Sequence, residues 1–351
     1  MQRATEKKQS ISEEVKSRVT APKKKKAEYS GNTEIMISTG STLLDLAISG
    51  GRVRGGGVPG GIVVEIFGPE STGKTVLLCE IAGGIQRQNG EIMFHDPEAR
   101  LNKQFAEIFD LDTKSMSYMT PNTVTEVFTE LRKWVPDNDN INGVITDSLA
   151  ALSTDLEMDD EDGDKMGMRR AKEFSEGFRR TARIITESNL LMVCSNQIRE
   201  NVDRANRFSP KYTAPGGKAI GYYSSLRLRT SKMESLSRVK EVRGKKHKII
   251  YGVNIEVEVF KSSIWHPNRT APVTIDFSYG IDDIRQNLKY LKQMTGSTIY
   301  SIGDSKLDKS MDASIALVEE EGIETALREE VIDVWEEFEE QFKVERKKKK
   351  R

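Results

Sequence analysis

Cysteine is scarce in this chain: Cys79 and Cys194 are its only two, each inside an apolar run. Two thiols so placed give no disulfide framework, and a reducing compartment suits them better than an extracellular one. Long apolar runs are missing as well. No stretch approaches the roughly 20 residues that a membrane-spanning helix needs, and the polar N-terminus has no signal-peptide core. The expectation is a cytoplasmic protein without a membrane partner. Net charge is absent too, with 54 Lys and Arg against 54 Asp and Glu. Any affinity for a polyanion must then come from local basic segments, not from a global field.

What is present is charge in blocks. The first 28 residues carry nine Lys or Arg against four acids, including the run Lys23 to Lys26. Residues 319–340 hold eleven acids and one Arg, and Lys347 to Arg351 are all basic. Runs at chain ends read either as solvated tails or as arms that capture a polyanion. The acidic stretch reads as a screen competing for basic loops or as a folded amphipathic helix. Ile323, Leu327, Val331, Val334, Trp335 and Phe338 recur there at helical spacing, which favours the helix.

The 351 residues, 36% hydrophobic and 31% charged, suffice for one large core with smaller additions. Composition divides them into a flexible basic segment (1–33), a core (34–282), a small α-rich C-terminal unit (283–342) and a basic tail (343–351). Within the core, Ile62 to Phe67 is short, β-branched and bounded by glycines, as a buried strand should be. A helix is expected over Thr75 to Gln88. Further short apolar runs end in polar residues: Ile92-Met93-Phe94 before His95-Asp96, Val144-Ile145 before Thr146-Asp147, and Leu190 to Cys194 before Ser195-Asn196. Helical patterns separate them, around Phe105, over Val124 to Trp134 and over Met166 to Ser188. Such alternation predicts a doubly wound, mainly parallel α/β sheet, with ligands gathering beyond the carboxyl ends of its strands. From Leu226 to Phe277 the pattern turns strand-rich, with period-two alternation over Asn254 to Val259. Antiparallel strands extending the sheet are expected there.

The run Gly68-Pro69-Glu70-Ser71-Thr72-Gly73-Lys74-Thr75 fits G-x-x-x-x-G-K-[ST] between a predicted strand and a predicted helix. Glycines let backbone N–H groups wrap phosphates, and a helix N-terminus adds favourable partial charge. Lys74 is suited to the β- and γ-phosphates of ATP and Thr75 to Mg²⁺. Asp147, closing an apolar run, suits the Mg²⁺ shell. Glu98, just beyond the strand ending at Asp96, can accept a proton from water, although spacing alone also fits a solvated loop residue.

These residues resemble the RecA recombinase family. The resemblance runs through ISTGSTLLDLAISGG (Ile37 to Gly51), VVEIFGPESTGKT, DPEARLNKQF (Asp96 to Phe105), ITDSLAAL (Ile145 to Leu152) and NQIR (Asn196 to Arg199). It implies a RecA-type P-loop core with a mainly parallel twisted sheet flanked by helices. It places the catalytic glutamate on Glu98, the adenine-stacking aromatic on Phe105 and the γ-phosphate-sensing glutamine on Gln197. Two departures accompany it. Where the family has two lysines separated by one residue that reach a neighbour's ATP, this chain has Lys261 and Ser263, which leaves either compensation by Arg269 or slower turnover. Where the first DNA-facing loop falls, residues 155–164 carry seven acids.

Beyond Arg199 lies a segment with Arg204, Arg207, Phe208, Lys211 and Lys218, interrupted by Pro210, Pro215, Gly216 and Gly217. Basic side chains can track a phosphate backbone while an aromatic stacks on bases, and the prolines and glycines argue for a long loop. The resemblance puts the second DNA-binding loop here, and sets Lys172 and Arg179 near the DNA path. It implies a DNA-dependent ATPase that forms filaments on single-stranded DNA and exchanges strands with double-stranded DNA. Mediator and single-strand-binding proteins would be partners, and the nucleoid the location. A ring-shaped hexameric helicase and a DNA scaffold that uses ATP only as a clamp are the alternatives.

Overall fold

The short run bounded by glycines forms β1 (Ile62–Gly68), buried over all but its first residue. The computed structural model describes residues 35–155, 166–200, 212–213, 217–344 and 346. Four strands run parallel with β1 in one sheet: β2 (Ile92–His95), β3 (Met116–Met119), β4 (Asn142–Thr146) and β5 (Leu190–Gln197). Helices α1 (Lys74–Arg87), α2 (Lys103–Ile108), α3 (Val124–Lys133) and α4 (Met166–Glu187) alternate with them, and a short α5 (Gly217–Tyr223) follows. The sheet continues through β6 (Leu226–Val242), β7 (Lys245–Ser262), β8 (Thr270–Asp276) and β9 (Gly280–Ile281). Its nine strands lie in the order β9-β8-β7-β6-β1-β5-β4-β2-β3. β6 is still parallel to β1, and the expected antiparallel extension of the sheet begins with its pairing to β7.

Local chemistry explains the boundaries. α3 begins with a capping box, in which the Thr123 hydroxyl accepts from the Glu126 N–H while the Glu126 carboxylate accepts from the Thr123 N–H. Its buried residues, Val124, Val127, Phe128 and Leu131, fall on one helical stripe. In α2 the Asn102 side chain accepts from the Phe105 N–H at 2.9 Å. β3 carries no strand signal in the sequence. It is a half-exposed edge strand whose Met-Ser-Tyr-Met residues lack an apolar run.

Side chains alternate between the faces of the sheet. Val63 joins Phe128, Phe174, Phe178 and Met192 on one face. Val64 and Ile66 join Leu77, Leu78 and Ile81 on the other. The second cluster also takes in Leu288, Val318, Leu327, Val331 and Trp335 of the C-terminal helices α6 (Asp283–Thr295), α7 (Met311–Glu321) and α8 (Glu324–Gln341). The acidic C-terminal stretch is thus an amphipathic helix. Its outer acids Glu329, Asp333 and Glu336 converge on Arg54, each at 2.8 Å. The basic segment 1–33 and the acidic run 156–165 lie outside the described residues.

β6 and β7 are 17 and 18 residues long and outrun the rest of the sheet as a two-stranded ribbon. Arg243 and Gly244 turn it, with φ of 52° and 72°, the left-handed pair that a two-residue hairpin requires.

Candidate functional site

The phosphate loop leaves β1 at Gly68 and feeds α1 at Lys74. Gly73 holds φ at 76°, and a Cβ there would sit 2.4 Å from Ile275 Cδ1, so both conformation and space demand glycine. Gly68 is pressed against β6, where an added Cβ would meet the Thr230 carbonyl oxygen at 2.4 Å. Thr72 Oγ1 donates to the Pro69 carbonyl at 2.8 Å and lies 2.7 Å from Thr230 Oγ1. The loop is therefore braced by its neighbouring strand. The 14-residue α1 directs its free N-terminal N–H groups into the cleft above. Lys74 Nζ donates to the carbonyls of Gly68 at 3.1 Å and Pro69 at 2.6 Å. Desolvation lowers its pKa, with Asp147 and Glu70 opposing.

Glu70 to Thr75 line a cleft of about 550 Å³ together with Glu98, Phe105, Asp147, Ser148, Ser195 and Gln197. Thr75 Oγ1 donates to Asp147 Oδ2 at 2.7 Å, and Ser195 Oγ donates to Asp147 Oδ1. Ser195 is a site residue that no motif marks. Its signal was a polar residue ending an apolar strand beside the one that leads to Asp147. Glu98 stands across the cleft, where its Oε1 accepts from Ser148 Oγ at 3.3 Å and its Oε2 pairs with Arg100 at 2.6 Å. The turn carrying Glu98 hangs on Asp96, whose Oδ2 accepts from the Leu101 N–H at 2.7 Å and from the Tyr118 hydroxyl at 2.9 Å. β3, missed in the sequence, thus supports that turn. Phe105 is half-buried with its ring edge-to-face on Phe109, centroids 4.9 Å apart. Beneath the cleft, burial pushes the His95 pKa down to about 4.

The donor set fits a nucleotide carrying Mg²⁺. A hydroxyl beside a carboxylate offers hard oxygen ligands, and Mg²⁺ takes few protein ligands plus phosphates. Among the described residues no cluster of three or more His, Cys, Asp or Glu can hold a metal unaided. A cation at Thr75 and Asp147 would need phosphate oxygens to complete its shell.

Lys261 is not in this cleft. It lies at the end of β7, and its Nζ donates to the carbonyls of Gly221 at 2.9 Å and Tyr222 at 3.1 Å, near the C-terminus of α5. Desolvation and the nearby Arg227 lower its pKa. Ser263 is exposed. Arg269 is committed elsewhere: its guanidinium makes a two-pronged contact with Glu339 of α8 and stacks 3.9 Å above the Trp265 ring. As a substitute for the missing second lysine it would have to leave both partners.

Lys172 and Arg179 are exposed and seven residues apart on α4, which places them on one face. α4 meets α5 through the stacked rings of Phe178 and Tyr223, centroids 5.5 Å apart. Lys218, at the start of α5, is exposed. Arg199 lies in a two-residue strand, Arg199–Glu200, paired with Tyr212–Thr213. Arg204, Arg207, Phe208 and Lys211 lie outside the described residues. Among the described residues no helix is long and apolar enough to cross a membrane.

A family model for the RecA N-terminal domain matches residues 20–282. The chain is 32% identical over 290 residues to Protein RecA of Borrelia hermsii, covering 81% of this chain and 77% of the relative. Protein RecA of Borreliella afzelii is 32% identical over 293 residues, covering 81% and 76%. Protein RecA of Acholeplasma laidlawii is 29% identical over 283 residues, covering 79% and 80%.

Proposed function

The chain belongs to the RecA family, and on that premise we propose that it hydrolyses ATP while assembled as a filament on single-stranded DNA, and exchanges strands with a duplex. The observation that carries the reading is the convergence of Lys74, Thr75, Asp147, Glu98 and Gln197 on one cleft. Gln197 is also the residue from which the chain departs toward the basic, aromatic segment 199–218.

ATP with Mg²⁺ supplies a phosphoanhydride whose γ-phosphoryl group is transferred to water. The N–H groups at the start of α1 and the Lys74 ammonium bind its phosphates. Thr75 and Asp147 hold the cation, with Ser195 fixing the carboxylate from behind. Glu98 orients water and accepts its proton, while Phe105 covers the base. Gln197 senses the γ-phosphate and passes its position to the following segment. Arg199, Arg204, Arg207, Lys211 and Lys218, with Lys172 and Arg179, contact the DNA backbone, and Phe208 packs against bases. Base pairing supplies sequence recognition, and affinity falls as salt rises because neutralised phosphates release counterions.

Filament growth follows from a head-to-tail contact that does not close, with Lys261 of one copy facing the ATP of the next. Residues 34–282 form the ATPase core in this reading and 283–342 a C-terminal unit built onto it. Mediator and single-strand-binding proteins are further implied partners.

The test is ATP turnover and electron microscopy with and without single-stranded DNA. DNA-stimulated turnover and open filaments are expected, and closed rings would favour a helicase. Lys74→Ala should lower turnover by roughly a hundredfold or more, as loss of a group stabilising transition-state charge does. Unchanged hydrolysis would remove the phosphate-site assignment.

A further inference from the structure

A charged cluster lies inside the sheet, next to the nucleotide cleft but outside it. Glu65, in the middle of β1, is only 1% exposed. Its Oε1 accepts from Asn196 Nδ2 at 2.9 Å and its Oε2 from Arg227 Nε at 2.6 Å. Strand register brings Glu65 opposite Arg227 of β6, and Phe67 opposite Asn196 of β5. The Arg227 guanidinium lies 4.4 Å from the Phe67 ring centroid and 5.3 Å from that of Phe260.

Stability alone is a weak reason for such a cluster. Buried ion pairs are often replaced by apolar groups of similar volume at no loss, because desolvation offsets their attraction. What the cluster adds is direction, since hydrogen bonds to one carboxylate hold each partner to a position that apolar contacts do not specify.

Three residues of the cluster adjoin a residue used in the proposed reaction. Asn196 precedes Gln197, Phe67 precedes the first residue of the phosphate loop, and Phe260 precedes Lys261. Arg227 also lies against α5. A methyl group added to Gly221 would sit 3.0 Å from the Arg227 Cζ, and Lys261 donates to the carbonyl of that same glycine. Gln197 is where the chain departs toward the expected DNA-contacting segment, and α5 is where it returns. One buried carboxylate therefore holds the chain on both sides of that segment.

We propose that Glu65, acting through Asn196 and Arg227, is a positioning residue that couples the nucleotide cleft to DNA binding. The inference rests on the ATP- and DNA-dependent reading above. A shift of Gln197 carries Asn196 with it, and Glu65 transmits the displacement through Arg227 to α5. Loss of the relay separates the two ligands without removing either site.

The experiment compares the parent with the double variant Glu65→Gln/Arg227→Met, which removes both charges of the pair together, and with Gly221→Ala. The second variant favours the helix while forcing the guanidinium aside. Four quantities are measured: the melting temperature, ATP turnover with and without oligo(dT), oligo(dT) affinity with and without a non-hydrolysable ATP analogue, and the affinity for that analogue with and without oligo(dT). Coupling is reciprocal, so the tightening of DNA binding by nucleotide and the tightening of nucleotide binding by DNA must fall together, from a typical 5- to 150-fold toward roughly onefold. Both variants should melt as the parent does and keep their DNA-free turnover within about twofold, since neither substitution touches a cleft residue. Parental coupling in a folded variant would overturn the proposal, as would DNA-free turnover falling in step with coupling. If the double variant does not fold, Gly221→Ala decides the matter alone. A parent that neither binds oligo(dT) nor hydrolyses ATP would overturn the function reading instead.

Discussion

The two halves of the sheet treat their functional side chains in opposite ways. On the parallel half, residues from separate loops and strand ends turn toward one cleft, and Asp147 is already gripped by Thr75 and Ser195. On the antiparallel half, the cations expected to act between subunits turn back onto their own chain. Lys261 is held by α5 carbonyls and Arg269 by Glu339 and Trp265. The cleft residues thus converge within a single chain. The edge is poised differently: any action across a subunit boundary there requires Lys261 to exchange two charge-assisted hydrogen bonds for others of similar strength, each worth about 1.5–3 kcal/mol when well buried. Lys261 is half-buried, so the exchange is cheaper than that range implies.

The sharpest way to break this contrast is at Glu98. Glu98→Gln preserves shape but cannot take a proton, and should lower turnover by about 10²–10⁴-fold, the usual worth of a general base. Binding of a fluorescent ATP analogue should be unchanged. Single-turnover rates equal to the parent would show that the cleft is not self-sufficient.

A smaller effect is expected at the edge. Arg269→Ala should cost about 1–2 kcal/mol of stability through lost stacking and the lost carboxylate pair, with turnover on DNA near the parental rate. Urea unfolding and turnover separate the outcomes: a large drop in turnover with unchanged stability would mean that Arg269 does act on a neighbour's nucleotide.

The smallest effects are two pH trends of opposite sign. His95, under the cleft, has its pKa lowered to about 4 by burial. The unfolded chain binds this proton first, so stability is lost as pH falls from about 6.5 toward about 4, by at most about 3 kcal/mol. Glu80, on α1, reaches the other half, where it accepts from the Ile281 N–H at 3.3 Å, and burial raises its pKa to about 7. Its contribution is greatest at low pH and is lost as pH climbs through about 7. Urea midpoints across pH 4–8 for the parent, His95→Asn and Glu80→Gln test both. The parent's margin over each variant should slope in opposite directions, and two flat margins would show that neither group is held as described.

The cleft was legible in the sequence where its chemistry is local. The phosphate loop is one uninterrupted run, and Asp147 and Glu98 each follow a recognisable strand. What escaped was set by pairing between distant segments. Ser195 meets Asp147 only because β4 and β5 align Thr146 with Cys194. β3 is a short edge strand with none of its four residues fully buried, so it carries no apolar run. Arg269 finds Glu339 seventy positions along the chain, a distance over which composition and periodicity say nothing about contact.

The long ribbon carries a consequence for crowding. Past Arg229 on β6 and before Gly252 on β7, no third strand borders it among the described residues. Two rows of backbone donors and acceptors are therefore open to a like ribbon on another molecule, the contact that drives edge-to-edge association. Arg238, Lys240, Arg243, Lys245, Lys246 and Lys248 stud that length. A second ribbon approaching would bring the same cations toward them, so mutual repulsion opposes that contact, and does so less firmly as salt screens it.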